Sequence, residues 1–246
     1  MVRVAVITGY GINADRELFE AFTRTGGHPE RIHIQDLFES PKRVLDFQIL
    51  SFPGGFSFGD HLGSGLVLSH LVKQRLRSIL EEFVAKGGLV IGICNGFQVL
   101  VKMGLLPNLS GTWDRDVSLI HNNSGVFEDS WVKCAFPESE CVWTKGLTET
   151  DLPVRHGEGR FICNSTSVLN TLQTKRMVAV TYSDRNPNGS VENIAGITDT
   201  TGRVLGLMPH PEAFLSYVNH PSWRVKRPEP ENGLAMFRNA VTFFNK

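Results

Sequence analysis

No apolar run in this chain approaches the roughly 20 residues of a bilayer-spanning helix, so a membrane span is not expected. Net charge of either sign is also missing, with Lys+Arg and Asp+Glu equal at 25 each. That balance gives no electrostatic reason to expect nucleic acid or an anionic membrane as partner. Cysteines are few. The four, at positions 94, 134, 141 and 163, have neither CxxC spacing nor the density of a disulfide scaffold, which points to a reduced, cytoplasmic protein. No Cys/His ligand pairing suggests a metal. The short apolar stretch Val4–Ile7 is followed by no cleavage-site pattern. No phosphate loop of the Gly-x-x-x-x-Gly-Lys-Ser/Thr type occurs, and Gly9-Tyr10-Gly11 is only a fragment of a dinucleotide fingerprint. With no internal repeat, low-complexity tract or strong linker, residues 1–246 are expected to form a single domain.

What is present alternates in the first half. Strands are expected at Val4–Thr8, Arg31–Ile34, Phe47–Phe52 and Gly88–Ile93. Between them the spacing predicts a helix capped by Asn13 or Asp15 that runs to Gly26-Gly27. A second covers about His70 to Ala85, with apolar residues at Leu71, Val72, Leu76, Ile79, Leu80 and Phe83. A third runs from Phe97 to Met103. The unbroken apolar run before Cys94 suits a central parallel strand covered on both faces. Alternation of this kind predicts an α/β fold, a doubly wound, mostly parallel sheet with helices on both faces. Ligands in such sheets bind beyond the carboxyl ends of the strands, where Pro53-Gly54-Gly55 and Cys94 both fall. The second half reads as strands at 117–121, 130–136, 160–162, 177–182, 194–198 and 204–208, with a turn at Gly202, a loop over 184–192 and a closing helix over 235–244.

The candidate chemistry centres on Gly92-Ile93-Cys94-Asn95-Gly96. A nucleophile on a sharp strand-to-helix elbow needs small residues two positions away on either side, and a helix N-terminus favours the thiolate of a cysteine placed there. On this motif alone, an inert buried cysteine in a glycine-rich turn remains an equal alternative. A thiol nucleophile needs a base, itself oriented by a third group. His210 follows the apolar run Arg203–Met208, and in extended backbone Glu212 points to the same side two residues later. Pro211 biases His210 toward that geometry. An isolated His-Pro-Glu would more often be a surface turn, but its place after a strand favours the catalytic reading. The amides of Gly55 and Asn95 are the natural pair of oxyanion donors.

Taken together, Pro53-Gly54-Gly55, Gly92-Ile93-Cys94-Asn95-Gly96-Phe97-Gln98 and His210-Pro211-Glu212 resemble the class I (triad) glutamine amidotransferases, whose fold is flavodoxin-like. The stretches Phe56-Ser57-Phe58-Gly59-Asp60, His156-Gly157-Glu158-Gly159-Arg160-Phe161 and Asn186-Pro187-Asn188-Gly189-Ser190 narrow the resemblance to one branch, the glutaminase subunits of phosphoribosylformylglycinamidine synthases. The resemblance runs from about residue 3 to the last helix. It implies that Cys94 attacks the side-chain amide of L-glutamine, that His210 shuttles the proton and that Glu212 orients His210. Gly54, Gln98, Asn123 and Gly125 would hold the substrate, and His156 and Glu158 would line the mouth or an interface. It also implies a large synthetase subunit, with a small accessory subunit, that carries the ATP and magnesium chemistry this chain lacks. Two departures stand out. Relatives commonly have Tyr where Phe58 stands, and a basic residue shortly after Asp60, where this chain has His61-Leu62-Gly63. The alternatives are a free-standing hydrolase with the same fold and a silent regulatory scaffold.

Overall fold

The computed structural model describes residues 1–226 and 231–245. In chain order the elements are β1 (Arg3–Thr8), α1 (Asp15–Arg24), β2 (His28–His33), α2 (Ile34–Glu39), β3 (Ile49–Phe52), α3 (Leu66–Ala85), β4 (Leu89–Ile93) and α4 (Asn95–Lys102). They continue with β5 (Val117–Ile120), β6 (Glu128–Ala135), β7 (Glu149–His156), β8 (Arg160–Cys163), α5 (Thr166–Thr174), β9 (Val178–Tyr182), β10 (Ile194–Thr198), β11 (Val204–Leu207), α6 (Trp223–Lys226) and α7 (Glu231–Phe243).

Nine strands form one sheet in the order β2-β1-β3-β4-β11-β10-β9-β6-β7, and β5 pairs with β8 in a separate ribbon. The run from β2 to β11 is parallel throughout. From β11 to β7 every pairing is antiparallel. Helices flank the parallel half, giving the doubly wound α/β architecture that strand–helix alternation predicts. Every residue of β4 is buried, as its unbroken apolar sequence requires for a strand covered on both faces. Helix α3 buries Leu68, Val72, Leu76, Leu80 and Phe83 along one stripe.

The extra antiparallel strands decide where the site lies. Although β7 is the far edge of the sheet, the Pro153 carbonyl accepts the His210 amide at 2.8 Å. The antiparallel extension therefore turns back over the carboxyl ends of β4 and β11, and its own last residues reach the same rim.

Several boundaries differ from the sequence reading. Neither Asn13 nor Asp15 caps α1. Its cap position is Ala14, without a side-chain bond, because the Asn13 and Ala14 amides instead donate to the Gly54 carbonyl at 3.2 Å. That swap pins the start of α1 to the turn after β3. Helix α3 begins one turn before His70, just past Gly65 in left-handed conformation. β7, α2 and α5 were not anticipated.

Candidate active site

Cys94 closes β4 and opens α4 with φ 52° and ψ −107°, a backbone conformation costly for any residue with a side chain. Its amide donates to the Leu207 carbonyl at 2.8 Å and its carbonyl accepts the Gln98 amide at 3.0 Å, so the two flanking elements hold the strained residue in place. The neighbouring glycines are required by contact. A Cβ at Gly96 would run into the Phe52 carbonyl, and one at Gly92 would stand 2.7 Å from the Gly96 backbone. The thiol is 6% exposed, and its Sγ donates to the Arg155 carbonyl at 3.5 Å.

His210, 4% exposed, and Glu212, 1% exposed, follow β11. The imidazole Nδ1 and the carboxylate Oε1 are 2.6 Å apart. Nε2 is buried with no hydrogen-bond partner, leaving the ring free to exchange a proton on its other side. A Cβ at Gly54 would lie 3.0 Å from His210 Cε1 and 3.5 Å from Cys94 Cβ, so thiol and imidazole sit against the same glycine. Burial opposes charging of the imidazole, but the Glu212 carboxylate and the Cys94 sulfur outweigh it and raise the His210 pKa to about 10.

The turn after β3 approaches from the other side. Gly55 is held at φ 150° against Gly11 and Ile12. Cys94, His210 and Gly55 line one pocket of about 220 Å³ together with Asn13, Ala14, Glu17, Phe56, Phe127 and Arg155. Asn95, whose amide stands at the start of α4, fixes the adjoining loop with its side chain. Its Oδ1 accepts the Ser57 amide at 3.2 Å, and its Nδ2 donates to Asp60 at 3.3 Å and to Gln98 at 2.9 Å.

Other residues singled out in the sequence lie beside this pocket and do not line it. The Gln98 carboxamide accepts from Asn95 and donates to the Glu158 carbonyl at 2.6 Å. Asn123 and Gly125 are on an exposed loop, and the buried anchor of that loop is Asn122. Asn122 Nδ2 donates to the His156 carbonyl at 2.8 Å, while its Oδ1 meets His156 Nδ1 at 3.2 Å and accepts the Gly159 amide at 3.1 Å. His156 does not line a mouth or an interface as expected. It is 3% exposed, and its Nε2 faces Asn188 Nδ2 at 3.4 Å. Burial first and the His210 charge second lower the His156 pKa to about 4. The two recurring stretches around His156 and Asn188 are thus joined through one buried polar network, which makes their pairing in the sequence a structural requirement. Glu158 ties the 57–65 loop to α4: its carboxylate accepts the Ser64 amide at 3.3 Å and lies 3.8 Å from Lys102 Nζ. Burial outweighs the Glu158 and Asp60 charges at Lys102 and lowers its pKa.

Glu17, Phe56, Phe127 and Arg155 were not selected from the sequence as binding residues. Glu17 is in the first turn of α1, whose start is tied to the Gly54 carbonyl by the Asn13 and Ala14 amides and which also packs on the Pro211–Ala213 segment. Arg155 arrives on the returning edge strand. Among the described residues no cluster of three or more His, Cys, Asp or Glu could hold a metal ion, and no helix is long and apolar enough to cross a membrane.

Residues 1–244 match the model of the CobB/CobQ-like glutamine amidotransferase domain. The chain is 39% identical to the phosphoribosylformylglycinamidine synthase subunit PurQ of Methanococcus maripaludis, over 99% of this chain and 98% of the relative. To the PurQ subunit of Dehalococcoides mccartyi it is 42% identical, over 98% and 96%. Among solved structures it is similar to a chain in PurLQS from Thermotoga maritima, with TM-score 0.77, 27% identity and 99% coverage of both chains. A glutamine amidotransferase of the same organism shares the fold, with TM-score 0.57 at 14% identity, over 98% of this chain and 97% of that one.

Proposed function

The chain belongs to the CobB/CobQ-like glutamine amidotransferases and, within them, to the PurQ family, and from that premise we propose that it is the glutaminase subunit of a phosphoribosylformylglycinamidine synthase of purine biosynthesis. The observation that carries the chemistry is the buried His210–Glu212 pair at 2.6 Å, packed with the strained Cys94 against Gly54. Residues 1–246 act as one glutaminase domain. In the reacting complex the Cys94 proton is held on His210 Nε2, and Cys94 Sγ attacks the δ-carbon of L-glutamine. The amide carbonyl becomes an oxyanion that accepts hydrogen bonds from the Gly55 and Asn95 amides. His210 returns the proton to the leaving nitrogen, ammonia departs, and a γ-glutamyl thioester remains. His210 then takes a proton from water, which attacks the thioester and releases glutamate, and Cys94 recovers its proton. The balance is glutamine plus water giving glutamate plus ammonia.

Glu212 keeps the ring oriented and favours the imidazolium that forms twice in this cycle. Gly54 packs directly against both reacting side chains, while Gln98 acts from outside the pocket lining by holding the Asn95 side chain and the Glu158 carbonyl. Ammonia is consumed on the large synthetase subunit, which binds ATP and magnesium and assembles with this chain and a small accessory subunit. The test uses that complex. Cys94→Ala is expected to abolish glutamine-dependent synthesis and to leave ammonia-dependent synthesis intact. Glutamine-dependent synthesis that survives the substitution, or peptide cleavage indifferent to the synthetase subunit, would refute the proposal.

A further inference from the structure

Three side chains of α4, those of Asn95, Gln98 and Lys102, are spaced three and four residues apart and so share one helix face. Each of them meets the turn that follows β3 or meets Glu158, which clamps that turn. Asn95 holds Ser57 and Asp60, and Gln98 donates to the Glu158 carbonyl. Lys102 Nζ, one turn further on, donates to the Ser64 carbonyl at 2.6 Å and lies 3.8 Å from the Glu158 carboxylate. That carboxylate accepts the Ser64 amide at 3.3 Å, so Ser64 is gripped through both of its backbone groups. With side chains only 14% and 17% exposed, Lys102 and Glu158 are little screened by solvent. The gripped segment has a strained backbone. Phe58, Gly59, Asp60, Gly63 and Gly65 all have φ between 53° and 113°, and at Phe58 and Asp60 such values persist only where the surroundings enforce them. Gly63 has no side chain to fill the space beside it, and a Cβ there would stand 3.5 Å from Lys102 Nζ.

We propose that Lys102 and Glu158 are positioning residues that set the separation of the two oxyanion donors. The inference rests on the glutaminase reading given above. The Asn95 amide opens the helix that carries Lys102, and the Gly55 amide lies two residues before Ser57, where the clamped segment begins. The two donors thus belong to different elements. The register between β3 and β4 ends at Phe52 and Gly92, short of both. On its other side Gly55 is tied to the loop after β1, where the Gly11 carbonyl accepts the Phe56 amide at 2.9 Å, an anchor that leaves its distance to α4 open. That distance is set through residues 57–65. Asn95 grips the near end of this segment, and Lys102 with Glu158 grips the far end. An oxyanion exists only in the transition state and the tetrahedral intermediates, so a shift of one donor relative to the other slows turnover without weakening substrate binding.

The experiment uses the full chain in its synthetase complex. It compares Lys102→Met, which keeps the side chain's length and removes its donors, with Glu158→Ala and with Lys102→Arg, which keeps a donor. Two rates are read. One is steady-state hydrolysis of L-glutamine. The other is alkylation of Cys94 by iodoacetamide without glutamine, followed by mass spectrometry of the peptide bearing Cys94. Alkylation displaces iodide from a saturated carbon and forms no oxyanion, so it depends on the thiol and its base but not on the two donors. Lys102→Met and Glu158→Ala are each expected to lower kcat by about 10-fold, less than the loss of about 10²- to 10³-fold when an oxyanion donor is removed outright. KM should change by less than about twofold, and alkylation should keep its wild-type rate. The double variant should be no slower than the slower single one, because residues of one clamp do not act additively. Lys102→Arg should recover most of the kcat lost in Lys102→Met. Unchanged kcat in both single variants overturns the proposal. So does a fall in hydrolysis matched by an equal fall in alkylation, which would make the clamp a support of the fold alone. If Lys102→Met does not fold, Glu158→Ala decides by the same two rates. A wild type that hydrolyses no glutamine defeats the glutaminase reading and this inference with it. An active wild type whose variants turn over equally well defeats this inference alone.

Discussion

At the scale of single residues, His210 shows how placement sets chemistry. Burial alone would keep its imidazole neutral at working pH, yet Glu212, and Cys94 after it, reverse the sign and hold its pKa at about 10. Glu212→Gln keeps a hydrogen-bond acceptor beside Nδ1 but removes the larger of these two charges. His210 is then expected to titrate at lower pH, read from its ring resonances by NMR. Glutamine turnover should fall by about 10²- to 10⁴-fold, the range for a disabled general base. An unchanged His210 titration together with unchanged turnover would remove Glu212 from the machinery. Cys94, His210 and Glu212 were legible in the sequence because each follows a strand recognisable from its own apolar run, where local rules on glycine, proline and alternation apply. Arg155 and Glu17 were not. The helix bearing Glu17 reaches the site through backbone bonds to Gly54, and the strand bearing Arg155 arrives by pairing with distant partners. No local pattern records either event.

At the scale of elements, the elbow between β4 and α4 is held by contacts that exclude side chains. At Gly96 an added methyl meets the carbonyl of Phe52 on the neighbouring strand, and backbone cannot move aside as a flexible side chain would. Gly96→Ala is therefore expected to cost about 1–3 kcal/mol, the range for overpacking a tight interior, and to displace the thiol. At Gly157 a Cβ would meet only the Phe127 ring at 3.8 Å, so Gly157→Ala should stay within about 0.5 kcal/mol of wild type. Urea unfolding of the two variants side by side checks the contrast. A Gly96→Ala as stable as Gly157→Ala would mean that β3 and α4 are not locked together. The elements missed in the sequence lacked periodic signals. β7 reads Glu149-Thr150-Asp151-Leu152-Pro153-Val154-Arg155-His156, with charges and a proline along it, and becomes a strand by an eight-residue register with β6. α2 follows β2 without a break, and α5 offers only a Ser165 cap whose Oγ accepts the Val168 amide at 3.3 Å.

At the scale of the whole molecule, the parallel half followed from strand–helix alternation, whereas the order and curl of the antiparallel half depend on long-range pairings that alternation does not encode. That curl brings His156 within reach of the His210 charge and buries both, with opposite consequences for stability. His156 has its pKa lowered to about 4, by burial and then by the His210 charge. Between the ordinary value near 6.5 and 4, the unfolded chain binds a proton that the folded chain excludes, so stability falls as pH falls through this window. The shift corresponds to about 3 kcal/mol across it. His210, raised to about 10, works in the other direction. Its contribution is fully present below the unfolded value near 6.5 and is lost as pH rises through about 10. Stability is thus expected to fall on both sides of neutrality, with a different histidine responsible for each arm. Urea midpoints measured from pH 5 to pH 10 test this, because most carboxylates stay ionised over that range. His156→Asn should flatten the arm below pH 6.5 while leaving the alkaline arm in place, whatever its effect on absolute stability. An acid arm of unchanged slope in that variant would show that the buried network tolerates a proton on His156, and the neutral imidazole would then lose its place as the joint between the returning strands and the rim bearing Cys94.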